Sequence, residues 1–183
     1  SQTEVGSSQN SYSIDWGTAN KDNYTITESL GTLTVTQNSA EVTLTAASDS
    51  KTYDGTALTN AGVTASGLPA GFTVEATATG SQTDAGSSAN VVNDGYVIKD
   101  ANGADKTSSF TNVKKVDGTL TVKPAPVTIT TGSGEKPYDG TPLTNAEAGI
   151  TGLVNGETAT VTATGSQTEV GSSQNSYSID WGT

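Results

Sequence analysis

The chain of 183 residues has no cysteine, methionine or histidine, and its eight basic residues are all lysine. Without cysteine there is no disulfide framework, the usual staple of a small secreted domain. Without cysteine or methionine there is little for oxidants to attack. Without histidine or cysteine no Ser-His or Cys-His pair can activate a nucleophile, and the commonest zinc ligands are missing. No carboxylate pair recurs in a way that suggests a glycoside-cleaving cleft. No catalytic residue, cofactor or metal site is therefore assigned. Aromatic residues make up only 5%, so any core is thin. Positive charge is scarce as well, leaving a net charge of −11. Such a surface repels nucleic acid and anionic membranes, because phosphate binding needs clustered cations. No signal peptide, transmembrane span or sorting signal is present.

What the chain does have is repetition. Residues 1–18, SQTEVGSSQNSYSIDWGT, recur letter for letter as residues 166–183. Self-similarity at a fixed period sets the architecture before any other signal. A second, looser period lies inside the first. TATGSQTDAGSS (77–88) matches TATGSQTEVGSS (162–173), and KTYDGT (51–56) matches KPYDGT (136–141). These offsets predict modules of roughly 80–85 residues, a reasonable size for a small domain. The strand sequence GTLTV closes a module at 31–35 and again at 118–122, and EVTLT (41–45) or PVTIT (126–130) opens the next. The expected boundaries are 1–39 for the rear of one module, 40–124 for a complete one, and 125–183 for the front of a third. The first and third share a subtype, so the chain reads as a window in an array alternating two subtypes.

Thr is abundant, and Gly reaches 21. Thr with Val and Ile favours strands, while Gly, Asn and Asp mark turns. Alternation of apolar or small with polar residues runs through 42–46, 72–78, 118–122, 127–131 and 158–164. That pattern predicts half-buried strands with one solvated face, as in antiparallel sheets. No stretch carries a helical period. The expected fold is all-β: tandem Ig-like β-sandwich modules arranged end to end. Pro124-Ala125-Pro126 is a stiff connector, with two fixed φ angles and two missing donors. The other connector, Gln37-Asn38-Ser39-Ala40, lacks proline and is expected to bend more.

Tyr53-Asp54-Gly55-Thr56 and Tyr138-Asp139-Gly140-Thr141 place Asp-Gly after a strand. Asp-Gly suits a tight turn with positive φ, and the tyrosine packs its ring on the core edge with its hydroxyl on a polar partner. The chain resembles the YDG/MBG-type repeats of bacterial surface proteins at this motif. The resemblance extends through Ser66-Gly67-Leu68-Pro69-Ala70-Gly71, Gly80 to Gly86, Asp100 to Thr107 and Gly118 to Val122. In the other subtype, Asn23 to Thr27 leading to Gly31 to Val35 looks like the family's closing hairpin. Phe110-Thr111-Asn112 departs from the Asn-Tyr pair usual there, but Phe can fill the same core position. The resemblance implies an extracellular, all-β stalk or adhesin module on a bacterial surface or cell wall, without catalysis, and supplies no ligand-binding residues.

Other candidates are weaker. Asp100 to Asp105 looks like a calcium loop, but position 109 is Ser where a bidentate Glu belongs. Asn102-Gly103 reads better as a hairpin turn. Lys51 and Lys136 occupy equivalent positions where some bacterial surface domains form a Lys–Asn isopeptide bond. The recurring Asn60 and Asn145 lie only nine residues after their lysines. A lysine stem on apolar surface with a wet amine is the expectation. Asn23-Tyr24-Thr25 fits a glycosylation sequon but reads as strand sequence. Tyr12 and Trp16 form a candidate sugar-stacking platform, repeated at Tyr177 and Trp181, although Trp in so aromatic-poor a chain is expected as a core anchor.

The functional expectation is a structural stalk or fibre, each module adding roughly 30–40 Å of reach. Its partners are neighbouring modules and other copies of the chain, with neither nucleic acid nor membrane insertion. Two alternatives stand beside it: direct binding of host glycan or matrix protein, and self-assembly into a filament by strand complementation of split modules.

Overall fold

A computed structural model describes residues 1–182. They form an all-β structure with no α-helix among them. The strands are β1 (Gly6–Gln9), β2 (Thr32–Val35), β3 (Val42–Ala46), β4 (Asp49–Thr52), β5 (Val63–Ser66), β6 (Thr73–Glu75), β7 (Ala78–Thr79), β8 (Gly86–Val92), β9 (Val97–Lys99), β10 (Val113–Val116), β11 (Gly118–Lys123), β12 (Thr128–Thr131), β13 (Ala148–Thr151), β14 (Thr160–Ala163) and β15 (Tyr177–Asp180). Two short 3-10 turns cover Lys21–Asn23 and Thr107–Ser109. Alternation alone located β3, β11, β12 and β14. The alternating run 72–78 is broken into β6 and β7.

The described residues divide into two compact units. The first holds Ser1–Ala47, Ala61–Thr79 and Val91–Asp117. Its central strand β3 lies between β10 and β5, with Val42 opposite Val113 and Thr43 opposite Ser66. Val42, Leu44 and Ala46 alternate into the core, where Ala78, Val92, Ile98 and Phe110 join them. Phe110 meets Phe72 edge to face, 5.5 Å between centroids. β6 pairs with β9, and β7 with the last two residues of β8. β1 and β2 pair antiparallel, Gly6 opposite Val35.

The second unit holds Ser48–Asn60, Gly80–Asn90 and residues from Gly118 onward. Here β11 lies between β4 and the first part of β8, with Leu120 opposite both Asp49 and Ser88. Leu120 and Val122 turn into a small core with Leu58, edged by Tyr53. β12 pairs with β13 and β14 with β15.

Three expectations are corrected. The sheets are not wholly antiparallel: β10 runs parallel to β3, and β11 parallel to β4. Hairpin neighbours must be antiparallel, but strands far apart in sequence are free of that constraint. Asn23 to Thr27 forms no strand, and β2 takes β1 as its partner. The proline-free connector is the well-tied one. Asn38 N donates to Ser109 O (2.8 Å), Thr111 N donates to Asn38 O (3.0 Å), and Gln37 Nε2 donates to Ser108 O (2.7 Å). Lacking proline, this connector keeps the donors that a neighbouring backbone can satisfy.

Candidate functional site

The Asp-Gly turns carry a polar side-chain network that recurs in both copies. Gly55 has φ 77° and Gly140 φ 75°, the left-handed conformation that favours glycine. Asp54 Oδ1 accepts from Thr56 N (2.9 Å) and Thr56 Oγ1 (2.8 Å), closing an Asx-type turn. Lys51 Nζ then donates to Asp54 Oδ1 (2.6 Å), Thr56 O (2.6 Å) and Thr56 Oγ1 (2.7 Å). The second copy repeats the arrangement: Lys136 Nζ lies 2.8 Å from Asp139 Oδ1 and 2.6 Å from Thr141 Oγ1. The lysine amine is therefore not a wet end. It fills a polar loop as its central donor. Hydrogen bonding from Lys51, then from Thr56, holds the Asp54 carboxyl well below the usual carboxylate range, and Lys136 with Thr141 does the same for Asp139. The candidate isopeptide partners are engaged elsewhere: Asn60 Nδ2 donates to Asp49 Oδ2 and Asn145 Nδ2 to Ser133 O.

The two motif tyrosines differ. Tyr53 packs on Leu58, Leu120 and Val122, and its hydroxyl donates to Glu157, which raises its pKa. Tyr138 is 62% exposed. Around Tyr53 lies an apolar cavity of about 290 Å³, lined by Ala85, Pro124, Val127, Leu153, Val154 and Trp181 among others. This is where the proline connector leads into the following segment.

Tyr12 and Trp16 are not brought together as one platform. Tyr12 donates its hydroxyl to Glu28 Oε1 (2.6 Å), and this bond raises its pKa. Trp16 stacks on Tyr24 instead, 5.9 Å between centroids and 29° between planes. Neither tryptophan anchors a core. Val, Leu, Ala, Ile and Phe fill the first core and Leu and Val the second, and Trp181 is half exposed. In the loop read as calcium-like, the Asp100 carboxylate accepts from Asn102 N and Ala104 N, and Asp105 accepts from Thr107 N and Oγ1. These carboxylates cap their own hairpin. Among the described residues, no three acidic side chains gather to hold a metal ion.

Sequence reasoning missed two recurring side chains. Asn90, fully buried, donates Nδ2 to Asn60 O at 2.7 Å. Asn175 donates Nδ2 to Gly132 O and Asn145 O, both at 2.9 Å, and accepts from Gly165 N. Gln82 and Gln167 each donate to a carbonyl two residues on, at Asp84 and Glu169. Their recurrence at the repeat offset was the available signal. Asn90 ties β8 to the loop at Asn60, Asn175 joins three loop segments, and Gln82 and Gln167 brace their own turns, so the recurring residues serve the fold. No family model, curated protein or solved structure matches the chain.

Proposed function

We propose that the chain is a run of structural modules from a stalk or fibre on a bacterial cell surface, spacing an adhesive or other tip from the cell. The observation that carries this reading is the parallel pairing of first and last strands. β3 with β10, and β4 with β11, point the same way, so the chain leaves each sheet on the side opposite its entry. A fold closed by a hairpin would return it to the entry side. Together with the exact repeat, this suits modules strung end to end rather than clustered.

The connectors support the same reading. One is pinned through Asn38, and the other is bounded by Pro124 and Pro126 and edged by the Tyr53–Glu157 bond. Ig-like character, residence outside the cell and membership of the YDG/MBG-type repeats belong to this proposal. Electron microscopy of the native material, set against the mass of one denatured chain, tests it. Thin threads whose length scales with the mass of a single polypeptide are expected. Compact particles would sink it.

A further inference from the structure

Tyr53 and Trp181 line one cavity of about 290 Å³ within the second unit. Pro124, Val127, Leu153 and Val154 give it apolar walls. Apart from Trp181, every lining residue lies between Tyr53 and Glu157 in the chain. The volume is at the small end of ligand pockets, which start near about 300 Å³. It suits a compact headgroup rather than a larger molecule.

Charge decides which headgroup. Asp84 and Glu157 both line the cavity, and no lysine does. Neither carboxylate forms an ion pair among the described residues. The hydrogen bond to Glu157 raises the Tyr53 pKa, and the charges of Glu157, Asp84 and Asp54 add to it, so the field at the tyrosine is negative. Donors are scarce. The Tyr53 hydroxyl is already given to Glu157, and the Trp181 indole N–H is the one other side-chain donor of the lining. A sugar needs donors and acceptors together, and a calcium ion needs more oxygen ligands than two carboxylates supply. A cation with an apolar coat needs aromatic faces, an apolar wall and negative charge, and this cavity has all three.

We propose that this cavity binds a quaternary alkylammonium group, with the Tyr53 and Trp181 rings against its methyl coat and Asp84 and Glu157 balancing its charge. A lysine-type ammonium is strongly hydrated and would leave N–H groups unsatisfied against apolar walls, whereas a quaternary one has none to satisfy. Free choline is the source that fits. A phosphocholine headgroup would bring its phosphate toward the same carboxylates, on a chain of net charge −11. The site goes beyond the stalk reading and does not depend on it.

Titration calorimetry of the full chain with choline chloride, at an ionic strength held constant with sodium chloride, is the test. Saturable binding with a Kd on the order of 1–10 mM is expected of a small cation–π site. In Trp16→Phe, where Trp181 is the sole tryptophan, its fluorescence should change with the same midpoint. Neohexanol, in which carbon replaces the nitrogen of choline, should bind at least about tenfold more weakly, and so should phosphocholine. Trp181→Ala changes a half-exposed side chain outside both cores, so it should leave the urea midpoint in place while weakening choline about tenfold. Glu157→Gln keeps the shape and should weaken choline as well. Absence of saturable heat up to about 50 mM choline overturns the proposal. So does equal binding of neohexanol or phosphocholine, or unchanged choline binding in either variant.

Discussion

Lys51 Nζ and Asp54 Oδ1 stand 2.6 Å apart inside a loop that the same lysine also bonds through the Thr56 carbonyl. An isolated exposed ion pair contributes little to stability. Here the lysine also satisfies a carbonyl and a hydroxyl, so its removal undoes a turn rather than a pair. Lys51→Met should lower the urea midpoint more than Lys21→Met, a lysine whose side chain makes no hydrogen bond or ion pair among the described residues. Lys51→Arg should not restore it, because a planar guanidinium does not fit a site built for a compact ammonium. Equal midpoints for the Met variants would remove the loop from the account of stability.

The same loop sets a pH dependence. Asp54 and Asp139 have carboxyl pKa values lowered by their lysine and threonine donors. A depressed folded pKa contributes stability that is fully present above the unfolded value of about 3.9 and is lost as pH falls through the folded value. The turns should therefore stay closed at pH 5 to 7 and loosen only in strong acid. Carboxyl carbon shifts followed by NMR should show both aspartates titrating below the ordinary range. Titration near 3.9 would mean that the lysine bonds do not persist in solution.

Leu33 and Leu120 offer a matched comparison, being one position of one strand sequence in two settings. Leu120→Ala removes a fully buried side chain and should cost about 2–5 kcal/mol. Leu33→Ala, from a half-buried site, should cost about 1 kcal/mol or less in dilute solution. Urea unfolding of the two variants measures both.

Much of this was legible beforehand, and the limits have physical reasons. Alternation located β3 and β11 because Val42, Leu44, Leu120 and Val122 all face a core, and a period of two reports facing. It does not report partners, so the parallel pairing of β3 with β10 was hidden. Asp-Gly announced the turns at Gly55 and Gly140, but a lysine beside a strand carries no mark that its amine will be enclosed. Asn90 stands in an alternating strand, where Asn reads as solvated; only its recurrence at Asn175 hinted otherwise. The first copy of SQTEVGSSQNSYSIDWGT forms a strand at Gly6–Gln9 and the second at Tyr177–Asp180, a difference beyond any reading of the sequence, since the letters are the same. Neighbouring strands alone decide which half becomes a strand.

Tyr53 reports on its own contact. Its hydroxyl donates to Glu157, and this bond raises the pKa, aided by nearby carboxylates. A raised tyrosine pKa means that the protonated, bonded form is favoured until the pH passes the ordinary value of about 10. Glu157→Gln replaces the carboxylate with a neutral acceptor and should bring the ionisation of Tyr53 down toward that value. Alkaline difference spectra, with Tyr53→Phe identifying the Tyr53 component, follow it directly. An unchanged spectrum in Glu157→Gln would show that the two residues do not meet in solution.

Asn38 N is bonded to Ser109 O and Asn38 O accepts from Thr111 N, so both amides are held although neither lies inside a named strand. Exchange with deuterium should be slowed at Asn38 and Thr111, in a segment whose lack of proline would suggest freedom. Asn38→Pro deletes one donor and fixes φ near −65°. If the bonds act together, this change should also release the Thr111 amide, although Thr111 itself is untouched. The stiff element is then the connector that keeps its donors, and proline stiffens only where no neighbouring strand is available to receive them. Exchange at Asn38 as fast as in an unfolded peptide would reverse that conclusion and make the proline connector the stiffer of the two.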